Sequence, residues 1–151
     1  MNSLASLLRI LTIPIGIYLG VSKKAIFGMG YMKYKKVSYA AFKLNGFAFS
    51  AMDNGYDVDY TFNEAFSFIV NCKNQEEIDY YWEKLSAVPE AESCGWCKDQ
   101  FGVSWQILPS DWEEVLFGGT EEQVQRVNDA VLNMKKFDLE ALEKARLGVP
   151  N

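Results

Sequence analysis

Over residues 94–109 apolar and polar positions alternate in the way an extended chain requires. Val103, Trp105 and Ile107 fall on one side, Ser104, Gln106 and Leu108 on the other, and Pro109 stops the run. The polar turn Lys98-Asp99-Gln100-Phe101-Gly102 separates this run from a shorter one, Cys94-Gly95-Trp96-Cys97. Period-2 alternation bounded by Asp/Gly and by Pro predicts a hairpin whose second strand is half buried.

The same period recurs upstream. Val37, Tyr39, Ala41 and Leu44 lead into Asn45-Gly46, and Phe47, Phe49 and Ala51 follow. Asn-Gly between alternating runs predicts a second hairpin over 37–52, because both turn positions need positive φ. Residues 64–72 set Phe66, Phe68 and Val70 against Ser67, Ile69 and Asn71, a strand pattern with Glu64 at its start. The period then changes to 3.6. Asn74 with Glu77 has capping-box spacing, Glu76 and Glu77 suit the positive end of a helix dipole, and Ile78, Tyr81, Trp82 and Leu85 form one apolar face. Pro89 lies beyond the end of that helix. After the 94–109 hairpin, Ser110 or Asp111 opens a short helix through Leu116 that Gly118-Gly119 ends. Thr120 and Gln123 make a second capping box before Val124, Val127, Val131 and Met134, and a last helix over 138–146 buries Leu139 and Leu142. Strand, crossover helix and hairpin are half of an α+β cup, and the earlier hairpin predicts a second half built likewise.

Residues 4–21 are the most apolar stretch, interrupted by Arg9, Pro14 and Gly16 and followed by Lys23-Lys24. Eighteen residues lie at the short limit for a membrane span, and Arg9 at mid-bilayer would cost about 2.5–3.5 kcal/mol. No charge precedes Leu4, unlike a secretory signal. Pro14 ends a helix over 3–12, and the alternating Ile13, Ile15 and Ile17 favour a buried strand after it. A membrane anchor is the second reading and a non-native or disordered extension the third.

Length sets one domain with room for a core: 151 residues, 49% of them hydrophobic. Net charge is -5, and no basic stripe relieves it, so a nucleic-acid partner is not expected. Three cysteines are an odd number, which fits a reducing cytoplasm better than a disulfide framework. Histidine is absent from the whole chain. That excludes His-paired nucleophiles, His general bases and His-ligated zinc or iron.

The remaining chemistry is sparse. Cys94-Gly95-Trp96-Cys97 is a CxxC, but turn residues follow it where a redox motif needs a helix, and Cys72 alone is too few further ligands for zinc. Strand-borne core thiols are the expectation. Residues 53–63 hold three acids, but without the central glycine and final glutamate of an EF-hand loop, so a solvated loop is expected. Trp96 and Trp105, on facing strands of one hairpin, are candidate walls for an apolar or aromatic ligand; plain core packing is the competing reading. Gln106 alternates with Trp105 and would place an amide inside a cup. Glu64 is the remaining candidate, weighed against a solvated strand-end carboxylate.

From Phe62 onward the chain resembles the PhnB-like, 3-demethylubiquinone-9 3-methyltransferase domain family of the vicinal oxygen chelate (glyoxalase/bleomycin-resistance) superfamily. The matching residues are 62–72, 75–85, Cys94-Gly95-Trp96, Lys98-Asp99, Gly102 through Ile107 and Pro109, with Arg126-Val127, Met134-Lys135-Lys136 and Asp138-Leu139 in the tail. The resemblance implies an α+β fold of paired βαβββ modules forming an open cup, commonly dimeric. Residues 62–109 would be the second module, 31–60 a remnant of the first, 1–30 an atypical segment and 110–151 added helices. Metal-using relatives carry a glutamate ligand where this chain has Gln106, so the resemblance points to the metal-free side of the superfamily. The expectation is a cytoplasmic homodimer, without cofactor, that binds a small molecule. An enzyme using Glu64 or a tyrosine as acid or base, or a dimerising member without activity, are the alternatives.

Overall fold

The computed structural model describes residues 39–44, 47–52 and 61–149. It divides into two compact units, 1–61 and 62–151. The predictions for 4–21, for the Asn45-Gly46 turn and for most of 53–63 lie outside the described residues.

In the first unit β1 (Tyr39–Leu44) and β2 (Phe47–Met52) pair antiparallel. Leu44 stands opposite Phe47, the register that a two-residue connection imposes.

The second unit has strand β3 (Ser67–Cys72), helix α1 (Gln75–Leu85), a 3-10 turn (Pro89–Ala91), strands β4 (Trp96–Lys98) and β5 (Ser104–Pro109), and helices α2 (Trp112–Phe117), α3 (Glu121–Leu132) and α4 (Leu139–Leu147). The sheet order is β3-β5-β4, with β3 parallel and β4 antiparallel to β5. Chain order and sheet order differ because α1 carries the chain across one face before the hairpin returns. A full βαβββ module has four strands, and the described residues form three. Where the fourth would run there is the 3-10 turn at Pro89 and one isolated bridge, Ser93 to Trp96. The class is α+β, as the alternation of periods predicts.

The local signals explain the helices. Asn74 accepts the Glu77 amide proton at 3.0 Å, while the Glu77 carboxylate accepts from Lys73 N–H at 2.8 Å, one residue earlier than a standard box. Thr120 and Gln123 form the full reciprocal box. Asp138 caps α4 by accepting from Ala141 N–H at 3.0 Å. Asp111 precedes α2 without capping it through its side chain.

The core lies between the sheet and α1. Cys72, Cys97, Trp105 and Ile107 are buried on the sheet, and Ile78 and Leu85 on the helix. Each fully buried aliphatic side chain contributes about 1.5–3 kcal/mol. The C-terminal segment belongs to the same core. Cys94 and Gly95 donate their amides to Met134 O and Lys135 O at 2.8 and 2.7 Å, and Phe137 is fully buried. Gln75 holds the segment from the other side, donating to Phe137 O at 3.0 Å and accepting from Leu139 N–H at 2.9 Å. Arg126 reaches the open end of α4, donating to Ala145 O and Arg146 O at 3.0 and 2.7 Å.

Cys94 corrects the expectation of two strand-borne thiols. It lies in a tight turn with φ 48°, before β4 begins, and only Cys97 is on a strand. The turn exists because Gly95, at φ 80°, must pass under the Phe137 ring. A Cβ there would stand 2.2 Å from Phe137 Cε2.

Candidate functional site

Strand register sorts the sheet's side chains into two layers. Cys97 pairs with Trp105 and Trp105 with Phe68, so these three share a face. It is the face under α1, since Cys72 on the same layer lies close enough to Glu77 and Tyr81 to interact electrostatically. The other face carries two cross-sheet rows: Lys98–Ser104–Ser67, and Trp96–Gln106–Ile69. Ile69 is exposed there.

The helix side is organised by an acid that sequence reasoning treated only as turn chemistry. Asp99 is 3% exposed, and its Oδ1 accepts from Phe101 N–H at 2.8 Å and Val103 N–H at 3.0 Å. Its Oδ2 accepts from Trp105 Nε1–H at 2.9 Å. Three donors satisfy a carboxylate that could not otherwise be buried. The signal was present: an Asp opening a turn commonly accepts from the amide two residues on. Trp105 is 3% exposed and its ring centroid lies 5.1 Å from that of Phe68. The structure therefore separates the two candidate tryptophans, placing Trp105 in the core and Trp96 on the open face.

The open face holds a cavity of about 280 Å³ lined by Glu64, Ala91, Trp96, Cys97, Lys98 and Ser104. Gln106 is the next row along from Ser104, beside Trp96, and its amide donates to Ser67 Oγ at 2.8 Å. Ser104 is 2% exposed, and its hydroxyl has no hydrogen-bond partner among the described residues. Glu64 is not at the start of a strand, as the pattern suggested. It precedes β3 in a turn, two-thirds exposed, and pairs with Lys98. The reason is local: Asn63 accepts the Ala65 amide at 3.0 Å, turning the chain before extension begins at Ser67. The hydrogen bond from Lys98 holds the Glu64 carboxyl below its usual range. Trp96, Glu64 and Gln106 thus fall on or beside one cavity, and Trp105 does not.

Burial pushes the Cys97 thiol up to about 12 and the Cys72 thiol up to about 11. Burial also raises Tyr81. These groups stay protonated near neutrality, so they make poor nucleophiles, bases or soft ligands. Among the described residues no three acids or cysteines converge on a point that would hold a metal ion. No helix among them is long and apolar enough to cross a membrane.

A small βαββ sheet with one layer sealed by a helix and the other open to a cavity is the class of protein seen here. Residues 22–108 match the family model for 3-demethylubiquinone-9 3-methyltransferase, more than half of the chain, and the protein belongs to that family. Among solved structures it is similar to a PhnB protein from Bacillus cereus that carries the same methyltransferase name, at 30% identity over 60% of this chain and 75% of that one, with a TM-score of 0.39. No curated protein matches the chain.

Proposed function

We propose that the protein binds a small, partly aromatic or apolar molecule on the open face of the second unit, without a metal ion, and works as a homodimer in the cytoplasm. The observation that carries this reading is the cavity itself. Trp96 offers it a rigid indole wall, and the Gln106 amide stands one row away. Its volume of about 280 Å³ suits one ring and its substituents rather than a large cofactor. The absence of histidine and the amide at Gln106 support the metal-free part. A catalytic reading has less to draw on. Glu64 is ion-paired and Tyr81 is held protonated by burial. No G-x-G-x-x-G occurs in the sequence, so the family's methyltransferase name finds no nucleotide loop.

A fragment screen by NMR on the whole chain tests this. The four tryptophan indole N–H signals are assigned by Trp→Phe variants. Binding fragments should move the Trp96 signal and leave Trp105 unmoved. Fragments that shift only other signals, or a screen without hits, would overturn the reading.

A further inference from the structure

Resting on the cavity reading above, we infer that the ligand is a small planar carboxylate, received by Lys98 and Ser104, and that Glu64 occupies the carboxylate position until the ligand arrives.

Three observations converge. Lys98 and Ser104 are directly paired across β4 and β5, and Ser67 continues the same row, so Lys98 reaches along the row toward the turn before β3. Its ammonium finds Glu64 there, 34 residues away in sequence. The lysine is the more enclosed partner, with 20% of its side chain exposed against 66% for the glutamate. An ion pair between a fixed cation and a solvated carboxylate on a turn is easily exchanged, because solvent and salt compensate the departing acid. The second observation is the Ser104 hydroxyl, beside Lys98 in the same row and lining the same cavity. A buried hydroxyl without a partner costs about 1–3 kcal/mol, and a native site that carries one commonly reserves it for something absent. The third is Trp96, which lines the same cavity and gives a flat ring a face to stack on.

The donor set decides the class. One ammonium and one hydroxyl match a single negative charge with two acceptor oxygens. A phosphate dianion would ask for a second cation, and Lys98 is the one cation among the described lining residues. The group already seated on Lys98 is itself a carboxylate. Glu64 thereby acts as an internal competitor that keeps the half-buried lysine paired when no ligand is bound, a cost any incoming acid must offset.

Three probes of one shape and different charge separate this from the cavity reading: benzoate, benzamide and benzylamine, each titrated by NMR into the full chain. Benzoate should bind about tenfold or more tightly than benzamide, as a charge-assisted contact predicts. Lys98→Met, which keeps an unbranched apolar stem without the charge, should erase that preference while benzamide binding persists. Ser104→Ala should weaken benzoate several-fold and benzamide less. Glu64→Gln should strengthen benzoate several-fold, the opposite of what loss of a merely structural ion pair would do. Equal binding of benzoate and benzamide at Trp96, or a Glu64→Gln variant that weakens benzoate, would overturn the carboxylate assignment and leave the cavity reading standing. Failure of all three probes to move Trp96 would remove both.

Discussion

Asp99 and Trp105 are joined at 2.9 Å, carboxylate to indole N–H, with each side chain 3% exposed. The bond ties the turn between β4 and β5 to the middle of the core. The same carboxylate fastens the backbone of Phe101 and Val103, so one buried acid sets the conformation of the turn and the rotamer of the largest residue above it.

Replacing Asp99 should therefore be severe. Asp99→Ala leaves three donors without an acceptor and should cost about 3–5 kcal/mol. Asp99→Asn keeps one acceptor and should cost less. Urea denaturation monitored by far-UV circular dichroism measures both, and a midpoint unchanged in the alanine variant would refute the role.

Trp105 and Gln106 should part company when truncated. Trp105→Ala removes a core ring and should cost about 3–5 kcal/mol. Gln106→Ala loses only the half-buried bond to Ser67 and should cost about 1 kcal/mol. Thermal melts of the two variants decide this; equal losses would mean that the two layers are wrongly assigned.

The buried thiols give a pH dependence with a definite sign. Cys72 and Cys97 have folded pKa values raised from 9.0 to about 11 and about 12. Unfolded thiols lose protons first, so the stability they contribute is intact below pH 9 and is lost as pH rises through the folded values. Iodoacetamide at pH 8 should leave both unmodified in the native protein, and unfolding in urea should expose them. Mass spectrometry showing early modification of Cys97 in the folded chain would contradict this.

Metal content is expected to stay far below stoichiometric. Protein purified without chelator should carry less than about one zinc, iron or manganese for every ten chains by elemental analysis. One metal per chain would overturn the metal-free part of the proposal.

Self-association is expected at micromolar concentration. Phe62, Phe66 and Ile69 are each about half exposed, an apolar cost that a second copy would relieve. Sedimentation velocity should give a dimer, and a monomer over the micromolar range would count against it.

What was legible in the sequence was what is local. Asn74, Thr120 and Asp138 announce their helices within four residues, and the alternation through Trp105 and Gln106 sorts the two layers before any strand is paired. The site was only half legible, because it depends on pairs far apart in the chain. Nothing near Glu64 points to Lys98, and nothing in the alternation distinguishes Ser104 as a buried hydroxyl. Trp96 and Trp105 looked alike until the register set Trp96 opposite Gln106 and Cys97 opposite Trp105. The turn at Cys94 was hidden too, since its cause is a phenylalanine 43 positions later by number, Phe137 over Gly95.

That ring over Gly95 has a consequence for how much of the chain is needed in order to fold. The family match stops at residue 108, yet the amides of Cys94 and Gly95 are answered by Met134 and Lys135, and the glycine is roofed by Phe137. The boundary of the matched family model and the mechanical boundary of the fold are different lines drawn on the same chain. A gene fragment trimmed to the shared region would encode a sheet with its keystone missing, and any comparison of relatives confined to that region would overlook the residues that hold the hairpin closed.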